Sequence, residues 1–311
     1  MDIYNGVDIK LSLVYMSPTA FSIVLWYSML CQKNNVRNLI SSLKSHPATV
    51  PFKKLLSYFV SMILLVFLIM PFCLASVATY TANEAKCLSN FWTFGITLEN
   101  QIYKMGAHFV GEYMYYSVYF EFPCVAVLSV YLMIHYCGNN LLQCNYNAKN
   151  MDYLELTVKG IDVQEDYRII EENIRLLKKI LSLPLFVILL NSLFNLYVVL
   201  TYCLKDKIPP CMMVELTVSA LTGVIIISSL IIHSAKISEN MLKMKETINF
   251  LIEKHQLHIQ DKGREMSILK RIEKKDIIYL SACGMIDFKR NLLLTAFGSL
   301  FTYGLIIFKL G

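Results

Sequence analysis

This chain contains six long runs with almost no charged residue, and they constrain its fold more than any other feature. Each run is long enough to cross the roughly 30 Å hydrocarbon core of a bilayer as a helix. A composition of 56% hydrophobic and 17% charged residues is also too apolar for an ordinary soluble protein. The sequence therefore predicts an all-α, polytopic membrane helix bundle with six transmembrane helices. We place them at 11–32, 55–79, 108–136, 180–204, 212–234 and 291–308.

The basic residues are concentrated in three of the segments between these spans. Residues 33–54, 137–179 and 234–290 hold 23 of the 29 Lys and Arg residues. Basic segments stay on the cytoplasmic side of a membrane. The sequence therefore predicts a multi-pass plasma-membrane protein with these long loops in the cytoplasm and the C-terminus outside the cell. The net charge of +6 reflects this topology, and we predict no nucleic-acid partner.

Two of the basic segments carry apolar residues at every third or fourth position, which is the spacing of an amphipathic helix. The first stripe leads directly into the fourth span, and the second continues from the fifth span and resumes after Gly263. Both predict long helices that project beyond the bilayer. The stripes consist of Ile170, Ile174, Leu177 and Leu181, and of Ile237, Met241, Met244, Ile248, Leu251, Met266, Leu269 and Ile272.

These features divide the chain into five predicted regions. Three contain spans and two contain the cytoplasmic helices that alternate with them. The regions are 1–136 with the first three spans, 137–179, 180–234 with the fourth and fifth spans, 235–290, and 291–311 with the last span.

The sequence contains no pattern of catalytic residues. Because G-x-S-x-G, G-x-x-x-x-G-K and H-E-x-x-H motifs are all absent, we predict no enzyme activity. Nine cysteines include no C-x-x-C pair, so no metal site and no cofactor are predicted. Cys87, Cys203 and Cys211 fall in or beside loops placed outside the cell, where one pair of them could oxidise. A voltage sensor is also excluded, because no predicted span contains arginine.

The last span carries a polar stripe. At about 100° per residue, Thr295, Ser299, Thr302, Ile306 and Lys309 fall within a quarter-turn of one another. One interpretation is that this face lines water. The other is that its small and hydroxyl residues allow close helix packing, with the hydroxyls bonded to carbonyls of their own helix.

The same C-terminal region resembles the signature of arthropod gustatory receptors, which are related to insect odorant receptors. The resemblance rests on the stretch SACGMIDFKRNLLL at 281–294, and on Thr302 and Tyr303 followed by five residues. In that family Gln and Phe come next, whereas this chain has Lys309 and Leu310. The family has seven spans, so the resemblance implies a member that lacks the first span.

The resemblance implies a ligand-gated, non-selective cation channel that detects small-molecule tastants, with bitter-type compounds favoured. Such channels are homo- or heterotetramers with other gustatory receptors, and the long cytoplasmic helices form their anchor domain. The last span of each subunit surrounds the pore. Carried onto this chain, Thr295, Ser299 and Thr302 face the pore, and Ile306 or Leu310 forms a hydrophobic constriction.

Lys309 departs from this picture, because four ammonium groups around a narrow axis repel cations. Either Lys309 extends to the outer headgroups, or the chain conducts poorly, selects anions or does not conduct as a homomer. A non-conducting regulatory subunit and a membrane transporter therefore remain as alternative functions.

The third span is rich in aromatic residues and contains two carboxylates. Glu112, Tyr115, Tyr119 and Phe122 are expected on one helical face, and Glu121 lies deep in the span, where a carboxylate needs a partner or water. Together with Phe72 and the outer part of the fifth span, these residues are the predicted ligand pocket, because aromatic surfaces with few polar groups suit small apolar molecules. The alternative is a belt of aromatic residues at the membrane interface.

Overall fold

The apolar runs fold into helices that continue well past the predicted span ends. The structure, a computed structural model, describes residues 9–45, 53–85, 91–93, 95–151, 153–204, 210–256 and 263–310. Its α-helices are α1 (Ile9–Cys31), α2 (Lys33–Ser45), α3 (Lys53–Glu84), α4 (Gln101–Tyr116), α5 (Phe122–Lys149), α6 (Tyr153–Cys203), α7 (Pro210–Gln256), α8 (Gly263–Glu273) and α9 (Asn291–Leu310). Shorter elements are a 3-10 turn (Phe91–Thr93), a π turn (Ser117–Glu121) and the strands β1 (Ser281–Ala282) and β2 (Ile286–Asp287).

Six apolar helical segments correspond to the six predicted spans. Within the described part of the chain, four are long and apolar enough to cross a membrane, namely Ser57–Glu84, Gln101–Lys149, Val163–Cys203 and Met213–Lys254. Two shorter apolar segments, Met16–Cys31 and Asn291–Ile306, match the first and last predicted spans. The prediction of an all-α membrane bundle is therefore confirmed.

Helices α6 and α7 form the centre of the bundle. They contain 51 and 47 residues and extend for about 75 and 70 Å, which is more than twice the thickness of a hydrocarbon core. Helices α1, α2, α5, α8 and α9 all pack on one or both of them. Both predicted stripes are buried at every position whose side chain the structure describes, from Ile170 to Leu181 and from Ile237 to Ile272.

Two elements in the polar regions were not predicted. The segment 33–54, predicted only as a loop, contains α2, whose Leu39 is fully buried and belongs to the main core. The segment between α8 and α9 contains a small antiparallel hairpin, in which Ser281 pairs with Asp287.

The strands of the hairpin are joined by three residues, 283–285, and the first two of them need left-handed backbone geometry. Cys283 and Gly284 have φ values of 51° and 70°, and the Met285 amide donates to the Ala282 carbonyl at 2.9 Å. Positive φ at both central residues is the mark of a type I′ turn, which matches the twist of paired strands. The Cys283 amide then donates to the Ser182 carbonyl of α6 at 3.0 Å, which fixes the hairpin against that helix.

The apolar side of α9 packs on α6 and α7. Leu293, Phe297 and Leu300 contact the main core, and Gly304 is buried against α6. A Cβ atom added at Gly304 would lie 3.0 Å from Leu200 Cδ2, so the two helices approach closely at this point. A small residue at 304 therefore sets how closely α9 lies on the bundle.

Replacing Gly304 with leucine is expected to destabilise the protein by about 1–3 kcal/mol, because the new side chain overpacks the contact with Leu200. Thermal unfolding of the detergent-purified protein measures this as a lower Tm. Gly298→Leu is the matched control, since a Cβ atom at Gly298 meets nothing within 4 Å. Equal melting temperatures for the two variants would contradict the proposed packing.

Candidate functional site

The third span is interrupted by a π turn at its aromatic centre. The Phe122 amide donates to the Ser117 carbonyl, five residues earlier, instead of to the carbonyl four residues earlier. Pro123 explains the change, because proline lacks an amide hydrogen and its ring clashes with the carbonyl four residues before it. The predicted single α-helical face from Glu112 through Phe122 is therefore wrong at Phe122, which packs against the main core, whereas Tyr115 and Tyr119 remain side by side.

A cavity of about 400 Å³ lies beside this turn, at the end of the bundle where α7 begins. Helix α1 contributes Pro18, α6 contributes Asn195 and Tyr202, and α7 contributes Glu215 and Ser219. The walls combine apolar, aromatic and polar surface, as the walls of small-ligand sites do.

Tyr115 and Tyr119 form the aromatic wall of the cavity. Their rings stack with centroids 4.1 Å apart, and the Tyr119 hydroxyl lies 3.4 Å from Thr19 Oγ1 of α1. Glu215 lines the same space from α7, so a carboxylate and two stacked rings surround one volume. Aromatic faces and a carboxylate both attract organic cations, and the combination favours small aromatic amines.

The other predicted ligand residues lie away from this wall. Glu112 is only 3% exposed, and its Oε1 accepts from Trp92 Nε1 at 3.2 Å and lies 3.8 Å from His108 Nε2. Phe72 is exposed and contacts Phe109 edge-on at 5.4 Å. Glu121 is half-buried on the π turn and is not among the described residues that line the cavity.

Glu112 is therefore held by contacts that are separate from the cavity wall. Gly111 next to it lies so close to Trp92 that an added Cβ atom would fall 2.1 Å from the indole. This contact fixes the indole above α4, where its N–H reaches the Glu112 carboxylate. The 3-10 turn that carries Trp92 thus closes this end of the bundle over a buried carboxylate.

The hydroxyl stripe of α9 is exposed in the single chain. Thr295, Ser299 and Thr302 each bond to the carbonyl four residues earlier in their own helix, at 3.2, 2.8 and 2.9 Å. These are the bonds expected for hydroxyls that face an apolar surface, and they also leave an oxygen lone pair free to accept from water. Ile306 is 45% exposed on the same face.

Helix α9 consequently presents three different faces. One packs on α6 and α7, as described above. A second is exposed and wholly apolar, with Leu294, Phe301 and Leu305 at least half exposed. The third is the exposed hydroxyl stripe, which ends near the exposed Lys309; the side chain of Leu310 lies outside the described residues. Two exposed faces of opposite polarity are expected for a helix placed between lipid or protein on one side and water on another.

An ion pair joins the base of α9 to α7. The Arg290 guanidinium makes a two-pronged contact with the Glu239 carboxylate, with Nη2 2.7 Å from Oε2. Since Glu215 lies 24 residues earlier on the same α7 helix, a single helix about 35 Å long connects the cavity to the base of α9.

A second ion-pair cluster ties the segment before α9 to α6. Glu171 accepts hydrogen bonds from Lys275 and from Arg175, the latter at 2.8 Å. Lys275 also lies 5.3 Å from the centroid of the Tyr167 ring. Helix α8 and the hairpin are thereby held on α6, in the region predicted to form an anchor.

Sequence reasoning missed three residues that shape the site. Pro123 inside an aromatic run was the signal for the π turn. Glu215 lies near the start of the predicted fifth span, 212–234, and its signal was that a carboxylate at the end of an apolar run often faces other polar groups. Asn195, an amide within the fourth span, also lies on the cavity wall. Of the candidate cysteines, Cys203 is exposed at the end of α6. Cys87 lies outside the described residues, and Cys211 lies in the first turn of α7, where its side chain is not among those described.

Comparison with known proteins identifies the fold. No family model and no curated protein match the sequence. Among solved structures, the chain matches the insect olfactory receptor OR5 from Machilis hrabei in complex with eugenol, with a TM-score of 0.57. The alignment covers 96% of this chain and 81% of that chain at 10% sequence identity. The chain is therefore a multi-pass membrane bundle with the fold of that olfactory receptor.

Proposed function

We propose that this chain is a subunit of a ligand-gated, non-selective cation channel of the chemoreceptor type, opened by a small molecule. The observation that carries the proposal is the exposed hydroxyl face of α9. In an isolated chain these hydroxyls donate to carbonyls of their own helix, and each retains an oxygen lone pair that can accept from water but not from lipid tails. Four copies of α9 that turn these faces to one axis would line a water-filled path.

The cavity at the start of α7 is the proposed ligand site. The fold is shared with an olfactory receptor that holds the small aromatic molecule eugenol, and this chain has aromatic walls in its own cavity. Glu215 adds a preference for a positively charged ligand. We infer a tastant that is an aromatic amine, a chemistry consistent with bitter-type compounds.

Gating follows from the way α7 links the two sites. A ligand that binds more tightly to one conformation of the cavity shifts the population of that conformation. Because α7 carries Glu215 at one end and the partner of Arg290 further along, its displacement moves the base of α9. The closed pore is formed by Ile306, and the anchor of α6, α7 and α8 holds the subunits during the change. The concentration of basic residues in these segments supports a cytoplasmic anchor and an extracellular C-terminus.

Cysteine accessibility tests the orientation of α9. In a background without the exposed Cys31, Cys73, Cys203 and Cys283, Ser299→Cys is expected to lose most of its current when a cationic, water-soluble methanethiosulfonate is added. Leu294→Cys, on the exposed apolar face, should keep its current and serves as the matched control. Block of both variants, or of Leu294→Cys alone, would place a different face of α9 at the axis.

The exposed Lys309 favours a second function, a regulatory subunit that conducts only beside other subunits. Four lysines at one end of a homomeric pore repel cations, whereas one or two in a mixed tetramer repel them less. Current that needs a co-expressed receptor subunit, and that Lys309→Gln restores to the chain expressed alone, would support this alternative. A transporter would instead show saturable uptake without single-channel steps.

A further inference from the structure

A second cavity, of about 440 Å³, lies between α5 and α7 at the other end of their apolar runs. Its polar lining residues are Tyr131, His135, Asn139, His233, Lys236 and Asn240. This site is separate from the proposed ligand cavity, because α7 contains no Asp, Glu, Lys or Arg between Glu215 and Lys236. That stretch of 20 residues is about 30 Å long, which is the thickness of a hydrocarbon core.

The cavity therefore lies at a membrane boundary, with lipid tails beside one side of it and water beyond the other. Tyr131, His135 and His233 are half-buried, whereas Lys236 is exposed at the rim. A lipid headgroup in the adjacent leaflet has direct access to such a position. The count of basic residues predicts that this leaflet is the cytoplasmic one, where anionic lipids are concentrated.

The chemistry of the lining selects an anion. Lys236 supplies a fixed positive charge, two amide side chains supply N–H donors, and two imidazoles can each donate. No carboxylate is among the described residues that line the cavity. The nearby Glu239 does not neutralise the site, because it is engaged by Arg290. The lining is thus rich in donors and positively charged.

The side chains are also held in place before any ligand arrives. The His135 ring stacks on Tyr131 at 5.6 Å, and its Nε2 lies 2.9 Å from Asn139 Nδ2. The His233 ring contacts Tyr131 edge-on at 4.5 Å. Asn240 is 3% exposed, and its amide donates to the Gly138 carbonyl at 3.4 Å. An ordered set of donors loses little conformational entropy on binding.

A metal ion does not fit this arrangement. The lining provides two imidazoles but no thiolate or carboxylate, and no group of three such ligands occurs in the described part of the chain. The positive charge of Lys236 also opposes a cation. A singly or doubly charged oxyanion is therefore the kind of ligand that satisfies these donors.

We propose that this cavity binds the phosphate group of an anionic phospholipid at the membrane boundary, with Lys236 as its charged contact and Asn139, Asn240 and the two histidines as its hydrogen-bond donors. Because α5 and α7 both line the site, a bound headgroup bridges the two helices. The proposal does not depend on channel activity, since it concerns only the binding of lipid to the bundle.

Binding to the purified full chain in detergent, measured with three probes, tests the proposal. The probes are dioctanoyl phosphatidic acid, dioctanoyl phosphatidylcholine and glycerol 3-phosphate. We expect phosphatidic acid to bind at least about tenfold more tightly than either of the others. The choline of phosphatidylcholine cancels the negative charge, and glycerol 3-phosphate lacks the acyl chains that place the phosphate at the boundary. Equal binding of phosphatidylcholine would overturn the selection of an anion, and equal binding of glycerol 3-phosphate would reassign the site to soluble phosphates.

Variants locate the binding to this cavity. Lys236→Gln is expected to weaken the binding of phosphatidic acid about fivefold, whereas Lys236→Arg should retain it. Lys243→Gln removes the same charge from an exposed position two turns further along α7 and should leave binding unchanged. Melting curves without lipid verify that each variant is folded. A loss as large in Lys243→Gln as in Lys236→Gln would mean that the lipid binds nonspecifically to the basic surface, and would overturn the proposal.

Discussion

Ile306→Ser is expected to raise the current of the channel in the absence of ligand at least about tenfold. A closed hydrophobic constriction excludes water, and a serine hydroxyl at the same point favours wetting. A tenfold change needs only about 1.4 kcal/mol over a whole tetramer, and four isoleucines that each lose an apolar contact supply more than that. Whole-cell recording of ligand-independent current at matched surface expression measures the effect.

Leu305→Ser is the matched control for this change. Leu305 and Ile306 are adjacent and are 50% and 45% exposed in the single chain, but they lie on different exposed faces of α9. If the hydroxyl face meets the axis, only the Ile306 variant should open the pore. An equal leak in both variants would indicate a general loosening of α9, and no leak in either would place the constriction elsewhere.

The features that could be predicted from sequence are the helices whose apolar residues are buried at regular intervals. The stripe from Ile237 to Leu251 repeats at three and four residues, and only a helix with one buried face satisfies such spacing, so the prediction matched the structure. The length of the apolar runs located the spans for a similar reason, because each backbone polar group in lipid must be satisfied within its own helix.

The elements that escaped prediction depend on single residues or on distant contacts. One proline, Pro123, converts an α-helical turn into a π turn and removes Phe122 from the face that periodicity assigned to it. The hairpin depends on two residues with positive φ, and Cys283 is not a residue type that indicates such a conformation. Glu215 reaches the same cavity as Tyr115 only because α7 packs beside the third span.

The orientation of α9 illustrates a further limit on sequence reasoning. The spacing of Thr295, Ser299 and Thr302 fits both a pore face and close helix packing. The structure shows that a different residue makes the close packing contact. Gly304 makes the close approach to α6, while the three hydroxyl residues remain exposed on another side. Their exposure leaves a face that the proposed tetramer can direct toward its axis.

Tyr119→Ala is expected to weaken the binding of small aromatic ligands about tenfold, because it removes one of the two stacked rings that form the cavity wall. Tyr113→Ala is the control, since Tyr113 lies on α4 but stacks on Phe109 away from the cavity. The midpoint of ligand-induced stabilisation of the purified protein measures the change. An equal loss in both variants would indicate a general effect on the third span.

Glu215→Gln is expected to separate the contribution of charge from that of the rings. With 2-phenylethylamine and 2-phenylethanol as probes of nearly equal shape, the wild-type protein should favour the amine by about tenfold, because a carboxylate beside two aromatic faces attracts an ammonium group. In Glu215→Gln the preference should disappear through weaker binding of the amine, while the alcohol binds as before. Glu112→Gln should leave the preference intact, since Glu112 is buried against Trp92 and His108 rather than on the cavity wall. If Glu112→Gln instead abolishes the preference and Glu215→Gln does not, then the ligand enters beneath Trp92 and the cavity beside Tyr115 is not the recognition site.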